Sequence, residues 1–413
     1  MDWNFLIRNK QSLTVTTDSR KVTPGCIFVA LKGEHFDGNQ FVEQAIADGA
    51  AYVIKGEHAL QDLQELARAW RRELGLPIIG ITGTNGKTTT KELTAAVLKT
   101  KYNLYYTQGN LNNALGVPLT LLSITRAHEM AIVEMGASHP GDIKELVDIA
   151  EPNYGLITNV GRAHLEGFGS FEGVQQTKRE LYDYLVAHQG TIFINEDNEY
   201  LKQMLAASTI HNPQSTIHNP QSTIHYPQST IHYHRIPMPD GTHLVGAYNA
   251  ENIAAAMAVG QYFGVGEREA LAAIRSYEPT NHRSQKIVTE HNTLIVDAYN
   301  ANPTSMQAAI DSFNHQSPIT NHQSPITYIL GAMRELGAYS HLEHQNIVNM
   351  LLERKAKEVY LVGTEYRDTT APYPIFDTVD ELIAHLEAHP ITDKTILIKG
   401  SHSTQLEKII PIL

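Results

Sequence analysis

Ile78-Ile79-Gly80-Ile81-Thr82-Gly83-Thr84-Asn85-Gly86-Lys87-Thr88-Thr89-Thr90 runs from an apolar segment through a glycine turn into Lys-Thr, and helical periodicity continues through Lys91, Leu93, Val97 and Leu98. Strand, tight loop and helix in that order form a phosphate cradle. Small residues let backbone N–H groups close on phosphate oxygens at a helix N-terminus, where the dipole favours an anion. Gly83, Thr84, Asn85, Gly86, Lys87, Thr88 and Thr89 are the candidate nucleotide contacts. Lys87 is placed to reach the terminal phosphates, and the Thr88 hydroxyl to ligate Mg²⁺. The spacing is shorter than the common GxxxxGK[ST], because Ile81 stands five positions before Gly86.

Outward from this stretch the rhythm is βαβα. Strands are expected at Ile78–Thr82, Met130–Met135, Gly155–Val160 and Thr191–Ile194, with helices at Thr88–Lys101, Ile143–Ala150 and Phe171–His188. That alternation predicts a mostly parallel sheet with ligands at its carboxyl ends. It resumes after residue 280, with strands at Thr293–Asp297, Thr327–Leu330, Glu358–Val362 and Thr395–Lys399. Helices there fit Ser305–Phe313, His341–Lys355, Val379–Leu386 and Gln405–Ile410. Before the cradle, Cys26–Leu31 and Ala51–Ile54 read as strands, and Gly75-Leu76-Pro77 breaks the helical pattern of Leu63–Leu74. The division expected is residues 1–76, 77–279 and 280–413.

A chain of 413 residues exceeds what one core usually serves. Its net charge of -12 argues against a nucleic-acid surface as its main business. Cys26 is the single cysteine, so no internal disulfide is possible and a reducing compartment is expected. Met1-Asp2-Trp3-Asn4 shows no basic segment followed by an apolar one, and no run reaches membrane-spanning length. A cytoplasmic protein without membrane insertion is expected.

Two segments break the rhythm. Residues 208–234 carry the heptad STIHNPQ twice, then STIHYPQ, then the start of STIHYHR, and residues 314–327 carry NHQSPIT twice. Copies this similar read as tandem duplications, and proline with polar neighbours predicts an extended, flexible loop over 208–234. His211, His218, His225 and His232 recur every seven residues, a spacing with no preformed metal geometry.

Further chemistry gathers at predicted strand ends. Glu134, closing the Met130–Met135 strand, stands where a carboxylate meets Mg²⁺ in a phosphate-loop sheet. His164 lies just past the next strand, and Lys178 on the helix that follows. Gln108–Pro118 contains Asn110, Asn112 and Asn113, and the stretch after Asp297 contains Asn300 and Asn302. Amides suit nucleotide or peptide recognition, and they also suit turns.

Together these motifs resemble the Mur ligase family. The resemblance runs from Asp18-Ser19-Arg20-Lys21-Val22-Thr23-Pro24-Gly25 and Gly33-Glu34-His35-Phe36-Asp37-Gly38 through GTNGKTTT, GNLNNALGVPLTLL, VEMGAS and TNVGRAHLEGFGS. It continues to Arg283, AYNANPTSM after Asp297, and Gly331-Ala332-Met333-Arg334-Glu335-Leu336-Gly337. AYNANPTSM and GNLNNALGVPLTLL favour the branch that adds D-alanyl-D-alanine. The resemblance implies an α/β protein of three domains: a small N-terminal domain holding the UDP-muramoyl substrate, a central ATPase-like domain with a mostly parallel sheet, and a C-terminal Rossmann-like domain that closes on ATP and binds the dipeptide.

The activity implied is ATP-dependent ligation of D-alanyl-D-alanine to UDP-N-acetylmuramoyl-tripeptide through an acyl-phosphate, by a monomer. Carried over by motif, Ser19 and Arg20 contact the UDP substrate, and Asn110, Asn112, Asn113, Asn300 and Asn302 line substrate. Thr88 and Glu134 bind a first Mg²⁺, and His164 with Lys178, carbamylated by CO₂, serves a second. Asn249 and Asn252 flank adenine, Arg283 reaches the γ-phosphate and Asp297 the ribose. Lys87, Lys178, His164 and Arg283 form the implied catalytic group. The chain departs from the family pattern at Ala332, where aspartate is general, and at His402, where arginine is. Alternatives are another Mur-type or folylpolyglutamate-type ligase, or an inactive ligase-derived binding protein.

Overall fold

The computed structural model describes residues 3–33, 35–210, 229–279, 283–315 and 325–413. Three sheets follow one another along the chain. The first is parallel and small: β1 (Val15–Thr16), β2 (Ile27–Val29) and β3 (Tyr52–Ile54). The helix Ala59–Leu74 follows it and buries Leu63, Leu66, Ala67 and Trp70, the three-to-four spacing of one helical face. Gly75, at φ +64°, ends it in the left-handed conformation that glycine adopts without strain.

The central sheet comprises β4 (Ile78–Thr82), β5 (Leu104–Tyr106), β6 (Met130–Glu134), β7 (Tyr154–Ile157), β8 (Thr191–Asn195) and β9 (Thr230–Tyr233). Its order is β5-β6-β4-β7-β8-β9, with every neighbouring pair parallel. Because β4 is interior and both faces are covered, all five of its residues are buried. Ile79 and Ile81 pack on one side with Leu93 and Val97, and Ile78 packs on the other with Leu181.

The third sheet holds β10 (Gln285–Val288), β11 (Thr293–Asp297), β12 (Ile326–Gly331), β13 (Glu358–Val362), β14 (Ile375–Phe376) and β15 (Thr395–Lys399). Its order is β10-β11-β15-β12-β13-β14, and β10 alone among these described strands runs antiparallel to its neighbour. The C-terminal domain is docked on the central one. Leu165, Phe168 and Val174 share an apolar cluster with Met306, Met333 and Leu336. Arg162 donates from Nη1 to Glu343 Oε1 at 2.9 Å, and its backbone N–H donates to Thr304 Oγ1 at 2.9 Å.

Two expectations need correction. The last segment, expected as an α-helix over Gln405–Ile410, is a 3₁₀ helix over Leu406–Ile412, and Pro411 inside it has no N–H to donate. The stretch 208–234 was expected to be flexible throughout, yet its two ends are ordered structure. Ser208-Thr209-Ile210 closes the helix Glu199–Ile210, whereas Thr230-Ile231-His232-Tyr233 from the last copy forms β9. Threonine, isoleucine and tyrosine favour a pleated surface, Tyr233 is buried, and β9 pairs with β8 from Ile192↔Thr230 to Asn195↔Tyr233. His232 faces Glu196, and Asp197 accepts from His234 and from the Arg235 backbone at 2.7 Å. Residues 211–228, with His211, His218 and His225, and residues 316–324 lie outside the described residues. The second array likewise ends in a strand, since Ile326 and Thr327 open β12. Among the described residues no helix is long and apolar enough to cross a membrane.

Candidate active site

The loop after β4 is shaped by contacts that leave no room for side chains at its glycines. A Cβ on Gly83, at φ +142°, would stand 2.0 Å from Thr158 Oγ1, and one on Gly86, at φ +79°, would stand 2.4 Å from Asn252 Oδ1. The loop is tied to the segment after β7. Thr84 N–H donates to the Asn159 carbonyl at 2.9 Å, Asn85 N–H to Asn159 Oδ1 at 3.0 Å, and Thr158 Oγ1 to the Asn85 carbonyl at 2.6 Å. Gly86 then caps the helix Lys87–Leu98.

Lys87 folds back into this loop, donating to the Gly83 carbonyl at 2.7 Å and the Thr84 carbonyl at 2.9 Å. The residue as a whole is half-buried, but its ammonium is enclosed. Burial pulls it down to about 8, with Arg283 adding to the shift and Glu134 opposing it. Thr88 Oγ1 donates to Glu134 Oε1 at 3.2 Å, and Asn112 Nδ2 to the same oxygen at 2.9 Å. Buried Glu134 Oε2 has no hydrogen-bond partner, and the fully buried Lys91 ammonium stands 3.5 Å away.

His164, at φ 51°, is a non-glycine residue in the left-handed region, and its Nδ1 faces Glu335 Oε2 from the C-terminal domain. Burial lowers the imidazole from its ordinary value; Glu335 opposes this, and Lys87 and Lys178 reinforce it. Lys178 is buried, with Nζ 3.5 Å from the Ala137 carbonyl and 5.5 Å from the Phe168 ring centre. Burial first, then Lys87, takes its ammonium well below the ordinary lysine value, with Asp142 and Glu180 opposing.

A cavity of about 890 Å³ opens at the carboxyl end of the central sheet, and neither Lys178 nor Gly83 is among its lining residues. Thr84 to Thr89 of the cradle, Glu134, His164, Arg283 and Asp297 line it. Arg283 lies over the Tyr299 ring at 3.9 Å, and Asp297 Oδ2 accepts from Lys399 Nζ at 2.6 Å.

The asparagines divide by use. Asn110, Asn112, Asn113 and Asn300 line the cavity, but Asn112 orients Glu134, and Asn113 Oδ1 accepts from Gly116 N–H at 2.8 Å in the turn before the helix Gly116–Leu122. Asn302 is buried and bridges domains, donating to Asn85 Oδ1 at 2.7 Å while its own Oδ1 accepts from Ser305 N–H at 2.9 Å. Asn249 and Asn252 also line the cavity, yet their amides are committed. Asn249 donates to the Val245 carbonyl at 2.7 Å, and Asn252 donates to Asn249 at 2.8 Å and accepts from Thr90 at 3.0 Å.

Ser19 and Arg20 do not line this cavity; Arg20 folds onto Asp18 at 2.9 Å on the N-terminal domain. Sequence reasoning passed over Lys91, Tyr299, Glu335 and Lys399. Their signal was a position at or just past a strand's carboxyl end, or one helical turn beyond Lys87.

Comparison with known proteins places these features in a family context. Residues 14–97 match the Mur ligase family catalytic domain, 81–260 the Mur ligase middle domain, and 282–402 the Mur ligase glutamate ligase domain. UDP-N-acetylmuramoyl-tripeptide–D-alanyl-D-alanine ligase of Bacillus subtilis is 36% identical over 373 residues, spanning 84% of this chain and 79% of the relative. The crystal structure of MurF from Acinetobacter baumannii superposes with a TM-score of 0.81 at 27% identity, covering 96% of this chain and 92% of that one. MurF ligase of Thermotoga maritima, solved in complex with ADP, shares the fold with a TM-score of 0.81 at 24% identity, over 98% of both chains.

Proposed function

The chain belongs to the Mur ligase family, and from that premise we propose that it is the ATP-dependent ligase that adds D-alanyl-D-alanine to UDP-N-acetylmuramoyl-tripeptide in peptidoglycan precursor synthesis. One observation carries this reading: the phosphate cradle, buried Glu134, and Arg283 from the next domain line a single cavity. Residues 1–76 hold the UDP-muramoyl substrate, 77–279 hold ATP, and 280–413 close on both.

The reaction activates a carboxylate. An oxygen of the tripeptide carboxylate attacks the γ-phosphorus, ADP departs, and an acyl-phosphate results. The neutral amine of the dipeptide then attacks the acyl carbon, the C–O bond to phosphate breaks, and a proton and phosphate are released. Lys87 and Arg283 offset the charge gathering on the transferring phosphoryl group. The docked C-terminal domain keeps water from the acyl-phosphate.

Hard oxygen donors suit Mg²⁺, and the Thr88 hydroxyl with the buried Glu134 carboxylate, whose Oε2 has no hydrogen bond and only the Lys91 ammonium nearby, fits that need. Thr88 and Glu134 would hold a first Mg²⁺, and His164 with carbamylated Lys178 would serve a second; the ions neutralise phosphate charge when bound. Among the described residues no three His, Cys, Asp or Glu side chains converge as a metal set. The carbamate would add oxygen ligands beside His164. Carbamylation consumes a neutral amine and CO₂ and releases a proton, and the enclosure of Lys178 favours that neutral amine.

The test is phosphate release by the purified protein. Release that requires ATP, UDP-N-acetylmuramoyl-tripeptide and D-alanyl-D-alanine together is expected. Equal release with a single amino acid or with glutamate as acceptor would place the chain in another branch, and no release would make it a binding protein.

A further inference from the structure

Arg283, near the start of the C-terminal domain, is held by an aromatic ring. Its guanidinium lies 3.9 Å from the centre of the Tyr299 ring, and among the described residues no hydrogen bond or ion pair holds it. An unrestrained arginine samples many rotamers, and ordering it when a ligand arrives costs free energy. A ring face lowers that cost in advance, because a guanidinium stacks on it and keeps its N–H groups free for an anion.

Both partners sit on backbone that is itself pinned. Tyr299 falls between Asp297 and Asn300. One buried ammonium, Lys399 Nζ, donates to the Asp297 carboxylate at 2.6 Å and to the Asn300 carbonyl at 3.1 Å, so the turn that carries the ring is clamped on either side of it. Ser284, next after Arg283, is 4% exposed and left-handed at φ 51°, and its hydroxyl meets the Tyr248 hydroxyl at 2.7 Å. A non-glycine residue persists in that conformation where its surroundings over-determine it. His402, one of the two departures from the family pattern, also stacks with Tyr299, the ring centres 6.0 Å apart and the planes 24° from parallel. Arg283 and Tyr299 line the same cavity as Lys87, and the Arg283 charge is felt at the Lys87 ammonium.

We propose that Tyr299 is a positioning residue whose ring holds Arg283 ready for the phosphoryl group being transferred, so that the arginine separates ATP from ADP without having to be ordered by the nucleotide. The inference rests on the ligase reading above and deepens it by naming what aims Arg283.

The experiment measures calorimetric binding of two probes, ADP and the β,γ-methylene analogue of ATP, each with Mg²⁺, beside phosphate release in the full reaction. Tyr299→Leu is expected to weaken the analogue by roughly 3- to 30-fold, the range of a ring–cation contact, to leave ADP unchanged, and to lower kcat/KM for ATP by at least that factor. Tyr299 is only half-buried, and an unchanged ADP affinity reports an intact fold. Tyr299→Phe, which keeps the ring, should recover most of the discrimination. In an Arg283→Ala background Tyr299→Leu should add nothing, because the two residues act as one unit. Tyr299→Leu that weakens both probes equally or neither, or losses from the two substitutions that multiply, would make Tyr299 an independent part of the cavity wall and overturn the assignment. So would Arg283→Ala protein that binds the analogue as tightly as wild type. Each of these leaves the ligase reading standing when wild type releases phosphate only with all three substrates. A wild type that binds both probes and releases no phosphate overturns the ligase reading, and the binding ratios still decide the role of Tyr299.

Discussion

Asp297 and Lys399 are paired across parallel strands β11 and β15, and their side chains meet at 2.6 Å at the carboxyl edge of the C-terminal sheet. Lys399 is 1% exposed and also donates to the Asn300 carbonyl at 3.1 Å, so it fixes both the acid and the turn that follows it. Removing one partner of a buried pair strands the other. Lys399→Met should therefore lower stability by about 3 kcal/mol in urea unfolding, and Asp297→Asn on top of it should recover part of that loss. An unchanged unfolding midpoint in Lys399→Met would show that the pair contributes nothing.

Lys87 supplies a pH signature. Its free-state value of about 8 reflects enclosure, and bound phosphate would raise it again. The sign follows: at pH 8.5 the free ammonium is mostly deprotonated, so nucleotide binding takes up a large fraction of a proton. Below pH 7 Lys87 is already charged and this uptake vanishes. Calorimetric titration with ADP in buffers of differing ionisation enthalpy measures the proton directly, and Lys87→Met should abolish the uptake. Proton release at pH 8.5 would contradict the assignment.

Lys178→Ala should lower turnover at least about 100-fold, in the range of a lost transition-state charge partner. A short carboxylic acid such as acetate, placed in the space vacated, should restore a measurable part. Lys178→Ala with undiminished turnover would remove the residue from the site. Loss without rescue by any small acid would argue for a bracing role instead.

The first heptad array offers a stability test. Deleting residues 211–224, two heptads, leaves Ser208–Ile210 and Ser229–Tyr233 untouched and shortens the intervening connection from 18 residues to 4. Closure cost changes by about 0.6 kcal/mol per doubling of length, so stability should rise by about 1 kcal/mol. Tyr233→Ser, by contrast, removes a buried ring from β9 and should cost about 3 kcal/mol. A deletion variant less stable than Tyr233→Ser would mean that the intervening residues contribute to the fold.

The cradle was legible because it is local. A buried strand, two glycines with no room for a side chain and a helix start all fall within thirteen residues. The strand positions were legible for the same reason, since parallel strands covered on both faces are apolar throughout. What spans sequence distance was not. Nothing near Asp297 announces Lys399, because their pairing is a matter of sheet register. Nothing near His164 announces Glu335, because the contact depends on how two domains dock. The asparagines could not be told apart in sequence, because an amide that bridges loops, as Asn302 does, looks the same as one that lines the cavity, as Asn300 does. Proline-bearing copies hid β9, because its four residues differ little from earlier copies and gain their structure only by lying beside β8.

Both arrays begin on a helix and finish on a strand, and a seven-residue unit is a whole number of codons. A slipped copy during replication therefore preserves the reading frame and hands the fold the same helix end and the same strand start. Gain or loss of a whole unit therefore changes the length of the connection and not the residues of the helix or the strand it joins. Alleles of this gene should differ there in copy number before they differ in the cradle.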